Sequence, residues 1–315
     1  MALTLLDMAA GMKDEVMQGI VLQYARSSLL FQLITFKDTP SFTQKGWENS
    51  SYTDAVWREI GAAYSETKDK FVEKFDGIYL MGGQIDIDRA LRLPGQTELD
   101  AWAENLKLQS KRFSSGFLKE FIDGDRGINP ERFNGIKQRV EAVGGDQVIA
   151  GGSLDLAASS ANRQTFLDQL EQSIFEVEDG EPDVIVTSKQ GLWSLNRVAR
   201  REGLYDTTKD AFDRKIDTYR GIPVIHAGVL GDQTTAIITA TETAAGARVG
   251  GTDTSSYFVK FSHPNVQGIQ MHEPKRIYDD IISDGVTHRT VFEWPVGLTM
   301  FQNKSVVRYR GVKPL

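Results

Sequence analysis

The segment from residue 37 to residue 76 constrains the fold most, because it reads as a long β-hairpin that cannot form a core of its own. Aromatic residues recur through it with charges between them, and a polar turn at residues 65–69 separates two strand-like halves. An isolated two-stranded hairpin is marginally stable in water. Tryptophan and tyrosine are enriched where proteins meet. The segment is therefore predicted to be an arm that lies on another subunit.

The predicted contacts to that subunit come from aromatic and basic residues of the arm and from three arginines on a later helix. They are Trp47, Tyr52, Trp57, Arg58, Tyr64, Lys68, Lys70, Phe71, Phe75, Arg197, Arg200 and Arg201. Trp47 and Trp57 are the candidate anchors, because a few buried tryptophans often dominate the energy of an interface. The alternative is that both tryptophans pack on their own subunit and that the arginines form a solvated helix face.

Composition excludes several classes of protein. The chain has 315 residues, a formal net charge of −7 and no cysteine. The negative charge argues against a sequence-specific reader of DNA, although local basic patches can still approach nucleic acid. Without cysteine there is no disulfide, thiolate nucleophile or cysteine metal site. No signal peptide and no apolar run of about 18 residues is present, so we expect no membrane association.

Apolar periodicity predicts an α+β fold. Helices are expected over 13–33, 97–122, 162–177 and 189–201, and strands over 77–91, 182–187, 217–227, 234–240, 257–261, 289–301 and 306–309. The helix over 97–122 is long for a globular protein, where about 12 residues is typical, and reads as a spine. Gly82 and Gly83 are expected to form a bulge or a kink in the preceding strand.

Few residues point to chemistry. Asp86 and Asp88 lie two apart on a strand and could share a divalent ion, which makes a metal-dependent enzyme the alternative from another functional class. A solvated strand face explains them as well. Residues 123–129 resemble the start of a calcium loop but lack two of its positions, so a helix-terminating turn is favoured. The four histidines lack ligand spacing. The sequence predicts no catalytic residue, metal or cofactor.

The order of these elements resembles that of the major capsid proteins of tailed bacteriophages, with the Hong Kong 97-type coat fold. The fragments that carry the resemblance are YLMGGQIDID at 79–88, FLKEFIDGD at 117–125, PERFNGI at 130–136, YRGIPV at 219–224, EWPVGLTM at 293–300 and SVVRYRGV at 305–312. The resemblance rests on the order of the elements and covers nearly the whole chain.

The resemblance implies a division of the chain. Residues 1–36 would be an N-terminal arm and 37–76 the extended loop. A peripheral domain would comprise 77–127, with the spine helix at 97–122, together with 284–315. Residues 128–283 would form an apical domain, whose length suits a core of its own, so we expect it to fold alone.

The resemblance also implies a function. Copies of the chain would assemble in the host cytoplasm into hexamers and pentamers that form an icosahedral or prolate viral head around double-stranded DNA. No long charged coiled coil precedes the N-terminal arm, so a separate scaffolding protein is expected. A portal and optionally a decoration protein are the other expected partners. Contact with the packaged DNA would be non-specific. An encapsulin-like bacterial compartment shell is the alternative with the same fold.

Overall fold

The computed structural model describes residues 3–12, 18–19, 21–23, 28–51, 55–64, 66, 70–89, 101–202, 206–209 and 215–315, a few of them by backbone only. The helices are α1 (Leu5–Gly11), α2 (Leu30–Leu33), α3 (Ala101–Asp123), α4 (Ile136–Val143), α5 (Ser160–Phe175) and α6 (Lys189–Glu202). The strands are β1 (Leu3–Thr4), β2 (Thr35–Asp38), β3 (Thr43–Ser51), β4 (Lys70–Gly77), β5 (Tyr79–Asp88), β6 (Val148–Asp155), β7 (Val184–Thr187), β8 (Asp206–Lys209), β9 (Lys215–Tyr219), β10 (Ile222–His226), β11 (Thr254–Val259), β12 (Val266–Gln270), β13 (Lys275–Ile281), β14 (Thr287–Met300) and β15 (Val306–Lys313).

The first sheet has six strands built around β14. One side of β14 pairs with β5 over ten consecutive residues, from Thr287 opposite Asp88 to Val296 opposite Tyr79. Its other side pairs with β13 and then with β12. The N-terminal strands β1 and β2 extend this sheet beyond β12. A 14-residue strand that serves three neighbours therefore holds distant parts of the chain in one layer.

The second sheet has seven strands in the order β6-β15-β11-β7-β10-β9-β8. β15 runs parallel to β6 and antiparallel to β11, while β10 runs parallel to β7. Helices α5 and α6 pack together on one face of it, because their apolar residues share one buried cluster with residues of β7, β11 and β15. All four residues of β7 are buried, as its continuous apolar sequence requires.

The long helix α3 joins the two sheets through its aromatic face. Phe117 is fully buried, and its ring centroid lies 5.3 Å from those of Phe31 and Trp294 and 6.0 Å from that of Phe36. Phe121, one turn further on, packs on Phe261 beside the second sheet. The spine was predicted over 97–122. The described helix begins at Ala101 and ends at Asp123, and residues 97–100 lie outside the described part of the chain.

One buried charge lies in the second sheet, on β15. Arg308 is 1% exposed and pairs with the buried Glu242 at 3.1 Å and with Glu141 of α4. Burial raises the pKa of the Glu242 carboxyl, whereas a hydrogen bond from Ser255 and the charge of Arg308 oppose that rise. A buried ion pair becomes costly when one partner is removed, so this contact ties β15 to α4 and to the loop before β11.

Gly82 and Gly83 do not form the predicted bulge. The pairing of β5 with β14 is continuous through both residues. A Cβ on Gly83 would lie 3.1 Å from the Phe113 ring of α3, and one on Gly82 would lie 3.0 Å from the carbonyl oxygen of Phe292. The glycines therefore allow close approach of neighbouring groups, a requirement that sequence alone does not separate from a bulge.

Two further predictions on local structure differ from the structure, and a third is described only in part. The strand predicted over 217–227 is a tight hairpin, because Arg220 and Gly221 turn the chain with positive φ angles of 53° and 82°. Residues 234–240 form no strand and contribute only an isolated bridge between Val229 and Ala236. The helix predicted over 13–33 is described only in part: residues 18–19 and 21–23 are helical, the four-residue α2 lies at its end, and residues 13–17, 20 and 24–27 lie outside the described part of the chain.

The sheets do not follow the predicted boundary at residues 283/284. Strands β12 and β13, placed by sequence in the apical domain, belong to the first sheet with β5 and β14. Strand β15, placed in the peripheral domain, lies inside the second sheet between β6 and β11. Periodicity identifies a strand but not its neighbours, which explains the difference. The prediction that residues 128–283 fold alone therefore gives way to the expectation that their sheet needs β15.

We expect a fragment of residues 128–283 not to fold cooperatively, because it lacks β15 and leaves β6 without a neighbour. Val259 lies opposite Val306, and the Lys260 amide donates to the Ser305 carbonyl at 2.9 Å. A two-residue Asn-Gly turn can therefore join residue 260 to residue 305. The joined fragment, 128–260 with 305–315, should show a cooperative transition in urea followed by circular dichroism. Equal cooperativity in the two fragments would contradict this role of β15.

Candidate functional site

The hairpin of β3 and β4 forms a two-stranded sheet separate from the two larger ones. Its pairing runs from Thr43 opposite Gly77 to Ser51 opposite Lys70, with one irregularity near the far end. Because side chains alternate along a strand, the hairpin has two distinct faces. One face carries the aromatic residues. The other face contacts the rest of the same chain, called here the body.

The outer face carries Trp47 and Phe75. Their side chains are 57% and 61% exposed. Lys45 lies between them, with its Nζ 4.7 Å from the centre of the Trp47 ring and 2.7 Å from a carboxylate oxygen of Glu73 on the opposite strand. This exposed ion pair and the cation–π contact hold the aromatic rings in place on the outside.

The inner face carries the charges that attach the hairpin to the body. Asp76 accepts from Arg139 of α4 at 2.7 Å, and the same Arg139 nitrogen donates to the carbonyl of Leu298 on β14. Lys74 pairs with Glu48 at 2.6 Å, and Asn303 hydrogen-bonds to both of these residues.

Gly46 completes this face, since a Cβ there would overlap the ring of Phe301. The chain thus turns the polar side of its hairpin toward its own body and the aromatic side away from it. That arrangement is the reverse of an ordinary surface hairpin, in which apolar residues face the core. Exposed apolar patches with polar rims mark sites of protein contact.

The described part of the hairpin tip is equally exposed. Trp57 is 96% exposed, and Ile60 and Tyr64 are also open to solvent. Arg58 stacks over the Tyr64 ring at 5.0 Å. Ile60 was not among the predicted contact residues, because one aliphatic residue in a polar loop gives no pattern to read.

Four of the predicted contact residues are not described as side chains. Tyr52 and Lys68 lie outside the described residues, and Lys70 and Phe71 are described by backbone only. The contact role of the remaining hairpin residues stays a prediction, with Trp47, Trp57, Arg58, Tyr64 and Phe75 on the exposed surface.

The predicted arginines lie on the outer surface of α6. Arg200 and Arg201 are exposed and Arg197 is half-buried. Arg197 stacks on the ring of Trp193, one turn earlier, at 4.8 Å. Trp193 is 51% exposed and was missed, because its helical spacing is equally consistent with a core position. The hairpin and α6 thus present two separate aromatic and basic surfaces.

The Asp86 carboxylate, which could have bound a metal, is already engaged. Arg289 on the paired strand donates to both of its oxygens, at 2.8 and 2.7 Å. These hydrogen bonds lower the pKa of Asp86 below its ordinary value. Asp88 lies opposite Thr287 at the end of the ladder. Among the described residues, no group of three or more His, Cys, Asp or Glu side chains could hold a metal ion.

The turn after α3 explains the calcium-like motif. Asp123 pairs with Lys137 at 3.1 Å and Arg248 at 2.6 Å, while Asp125 accepts from the Gly127 amide and from Gln138. These carboxylates end the helix and fix the following loop, so the helix-terminating turn predicted from sequence is confirmed.

In the part of the chain described here, no helix is both long and apolar enough to cross a membrane.

Comparison with solved structures identifies the fold. The chain is similar to the holo-SrpI encapsulin complex from Synechococcus elongatus PCC 7942, at 12% identity and a TM-score of 0.61 over 90% of this chain and 87% of that one. It is similar to the capsid of a native GTA particle, at 13% identity and a TM-score of 0.58 over 90% and 89% of the two chains. A chain of Microbacterium phage Oxtober96 matches at 13% identity and a TM-score of 0.57, over 90% of each chain.

No protein-family model and no curated relative matches the sequence. The structural matches nevertheless span nearly the whole chain. The protein therefore has the Hong Kong 97-type coat fold that its sequence resembles, with an extended hairpin loop and a long spine helix. At such low identity the similarity establishes the fold, and the function has to be argued from the surfaces.

The attachment of the hairpin can be tested by comparing two of its ion pairs, one on each face. Arg139→Ala removes a partly buried partner of Asp76 and should lower the local opening free energy of the hairpin by about 2 kcal/mol. Lys45→Ala removes an exposed pair on the outer face and should cost less than about 1 kcal/mol. Hydrogen exchange of the amides of β3 and β4 measures both. Equal effects would show that the inner face does not hold the hairpin.

Proposed function

We propose that this protein is the major coat subunit of a viral head, assembling through its hairpin and outer helices with other copies of itself. The observation that carries the proposal is the hairpin with its polar face on its own body and Trp47, Phe75 and Trp57 facing solvent. Burying such rings on a neighbour would recover the hydrophobic energy that a single subunit leaves unused.

Hexamers and pentamers are the proposed assemblies, forming an icosahedral or prolate shell. A contact between two unlike surfaces of identical chains repeats around a ring until the ring closes. Each contact can be modest, because a subunit held by several neighbours gains from multivalency. The reading of residues 37–76 as the extended loop and of the rest as arm, peripheral domain and apical domain belongs to the same proposal.

The proposed contents are double-stranded DNA, held without sequence recognition. The formal net charge of −7 disfavours tight binding to phosphates, which suits DNA that must later leave the head. A separate scaffolding protein, a portal and optionally a decoration protein are the further proposed partners. Assembly in the host cytoplasm and residence in the virion follow from the same proposal.

An encapsulin-like compartment is the second candidate function. It is supported by the match to an encapsulin, whose TM-score of 0.61 is above those of the GTA and Oxtober96 chains. Both candidates need the same shell-forming surfaces, so the hairpin does not distinguish them. They differ in what the shell encloses.

Particle contents separate the two candidates. Particles purified from cells that make the whole virus should contain nuclease-protected double-stranded DNA if the protein is a viral coat subunit. Mass spectrometry and the ratio of absorbance at 260 and 280 nm measure nucleic acid against protein. Particles that enclose a single abundant enzyme and no protected DNA would establish the compartment instead.

Shortening the hairpin tests the shared requirement. A two-residue Asn-Gly turn placed between Glu48 and Val72, which are paired in the register, removes residues 49–71 and keeps the contacts of Glu48, Lys74 and Asp76. We expect a folded subunit with a nearly unchanged melting temperature that forms no shells. Calorimetry and electron microscopy measure these two properties.

Point variants sharpen that experiment. The pair Trp47→Ala and Phe75→Ala changes only the outer face, whereas Ile128→Ala removes an even more exposed apolar residue far along the sequence, after α3. The hairpin pair should raise the protein concentration needed for assembly by about tenfold or more, since interface tryptophans commonly contribute about 2 kcal/mol. Normal shells from the hairpin pair and from the shortened chain would overturn the proposed role.

A further inference from the structure

Acidic and basic residues fall in two separate, consecutive segments of the chain, which contain most of helices α5 and α6. Residues 164–188 contain seven carboxylates, all between positions 168 and 183, and no lysine, arginine or histidine. Residues 189–201, which form most of α6, contain four cations and no carboxylate. Mixed charges are the usual composition of a solvated surface. A division this complete makes one acidic and one basic surface on the same subunit.

The basic surface is the outer face of α6. Lys189, Trp193, Arg197 and Arg201 recur at four-residue spacing, which places them along one side of the helix. Trp193 is half-exposed and carries the stacked Arg197 guanidinium. We call these four residues the basic stripe. Its aromatic centre with charged neighbours is the composition that favours protein contacts.

The acidic surface is the outer face of α5 with the loop that follows it. Phe175 is 65% exposed, and the guanidinium of Arg220 lies 5.5 Å from its ring. Glu171 lies 3.4 Å from Arg220, the exposed Asp168 precedes Phe175 by two turns of α5, and the exposed Glu181 follows in the loop. We call Asp168, Glu171, Phe175 and Glu181 the acidic surface. It matches the basic stripe in having one exposed aromatic ring among charges, and its three carboxylates against the single cation of Arg220 give it the opposite sign.

We infer that the basic stripe of one subunit docks on the acidic surface of a second copy of this chain. The argument is charge complementarity, with Trp193 and Phe175 removed from water in the contact. Because the two surfaces differ, the contact joins unlike faces and can repeat around a ring. The inference rests on the proposed function as a shell subunit and adds to it a second interface, distinct from the hairpin.

A second copy fits this stripe better than nucleic acid does. Phosphate binding alone would explain the arginines, but it gives no reason for a matching acidic surface with its own exposed ring. Contacts between complementary charges also favour one orientation, because like charges oppose the alternatives. The contact should therefore weaken as salt concentration rises, since salt screens exposed charges.

Charge reversal tests the inference with two variants of the full chain. Variant A carries Arg197→Glu and Arg201→Glu, and variant B carries Asp168→Lys and Glu181→Lys. Each variant alone should need about tenfold more protein to assemble than the unchanged chain. A mixture of A and B should recover hexamers but not pentamers, because an all-acidic subunit can alternate with an all-basic one only in a ring with an even number of subunits. Light scattering and sedimentation measure assembly.

The mixture separates contacts between chains from contacts within one. If A and B fail alone and the mixture forms no hexamers, while a chain carrying all four changes does form them, the charges pair within one subunit and the inference is wrong. The matched control is Arg197→Lys with Arg201→Lys, which keeps the positive charge and should assemble nearly normally. Melting temperatures close to that of the unchanged chain confirm that A and B are folded.

The remaining outcomes also decide the question. If the unchanged chain forms shells and both variants do so equally well, the inference fails while the proposed function stands. If the unchanged chain forms no shells under any condition, the proposed function fails as well. If only variant A is impaired, and it has lost retention of a double-stranded DNA probe, the stripe binds nucleic acid and the inference is overturned.

Discussion

Burial of aromatic rings around Phe117 is the interaction on which the rest of the structure depends. Five aromatic side chains surround this residue, at centroid distances of 5.3 to 6.2 Å. They come from the N-terminal segment, the spine helix, the loop after it and β14. Losing one such ring costs about 3–5 kcal/mol in a packed core. This cluster gives the chain a rigid body without help from the hairpin, whose aromatic residues are therefore free for other contacts.

The hairpin and α6 both keep aromatic residues exposed at the protein surface, and they do so in different ways. The hairpin uses buried or half-buried charges on its inner face to keep a large apolar face outside. Helix α6 places its apolar residues in the core and keeps one tryptophan outside under an arginine. In both places a cation covers an exposed ring. The electrostatic attraction between cation and ring partly compensates for leaving the ring in water.

The sequence predicted most of the helices and strands but few of the strand pairings. The spine helix, both helices of the second sheet and the buried β7 follow from apolar periodicity, and the helix-terminating turn at Asp123 follows from its residues. The partners of β15 could not be predicted, because strand pairing is set by contacts that are distant in sequence. Gly83 was misread for the same reason, since the helix that requires it lies some 30 residues further on. Exposure of Trp47 was predictable from the weak apolar pattern of the hairpin. Exposure of Trp193 was not, because it lies in a strongly amphipathic helix.

The place of β15 has a consequence for how the protein is made. Its partners β6 and β11 both precede it in the sequence, and it lies between them in the sheet. While the chain is being synthesised, β6 therefore has no neighbour and Glu242 and Glu141 lack the arginine that joins them. Chains fold from the N-terminus as they emerge, so this sheet closes only when β15 has left the ribosome. Translation itself thus delays the appearance of the natively folded chain, and a product truncated before β15 lacks the complete second sheet.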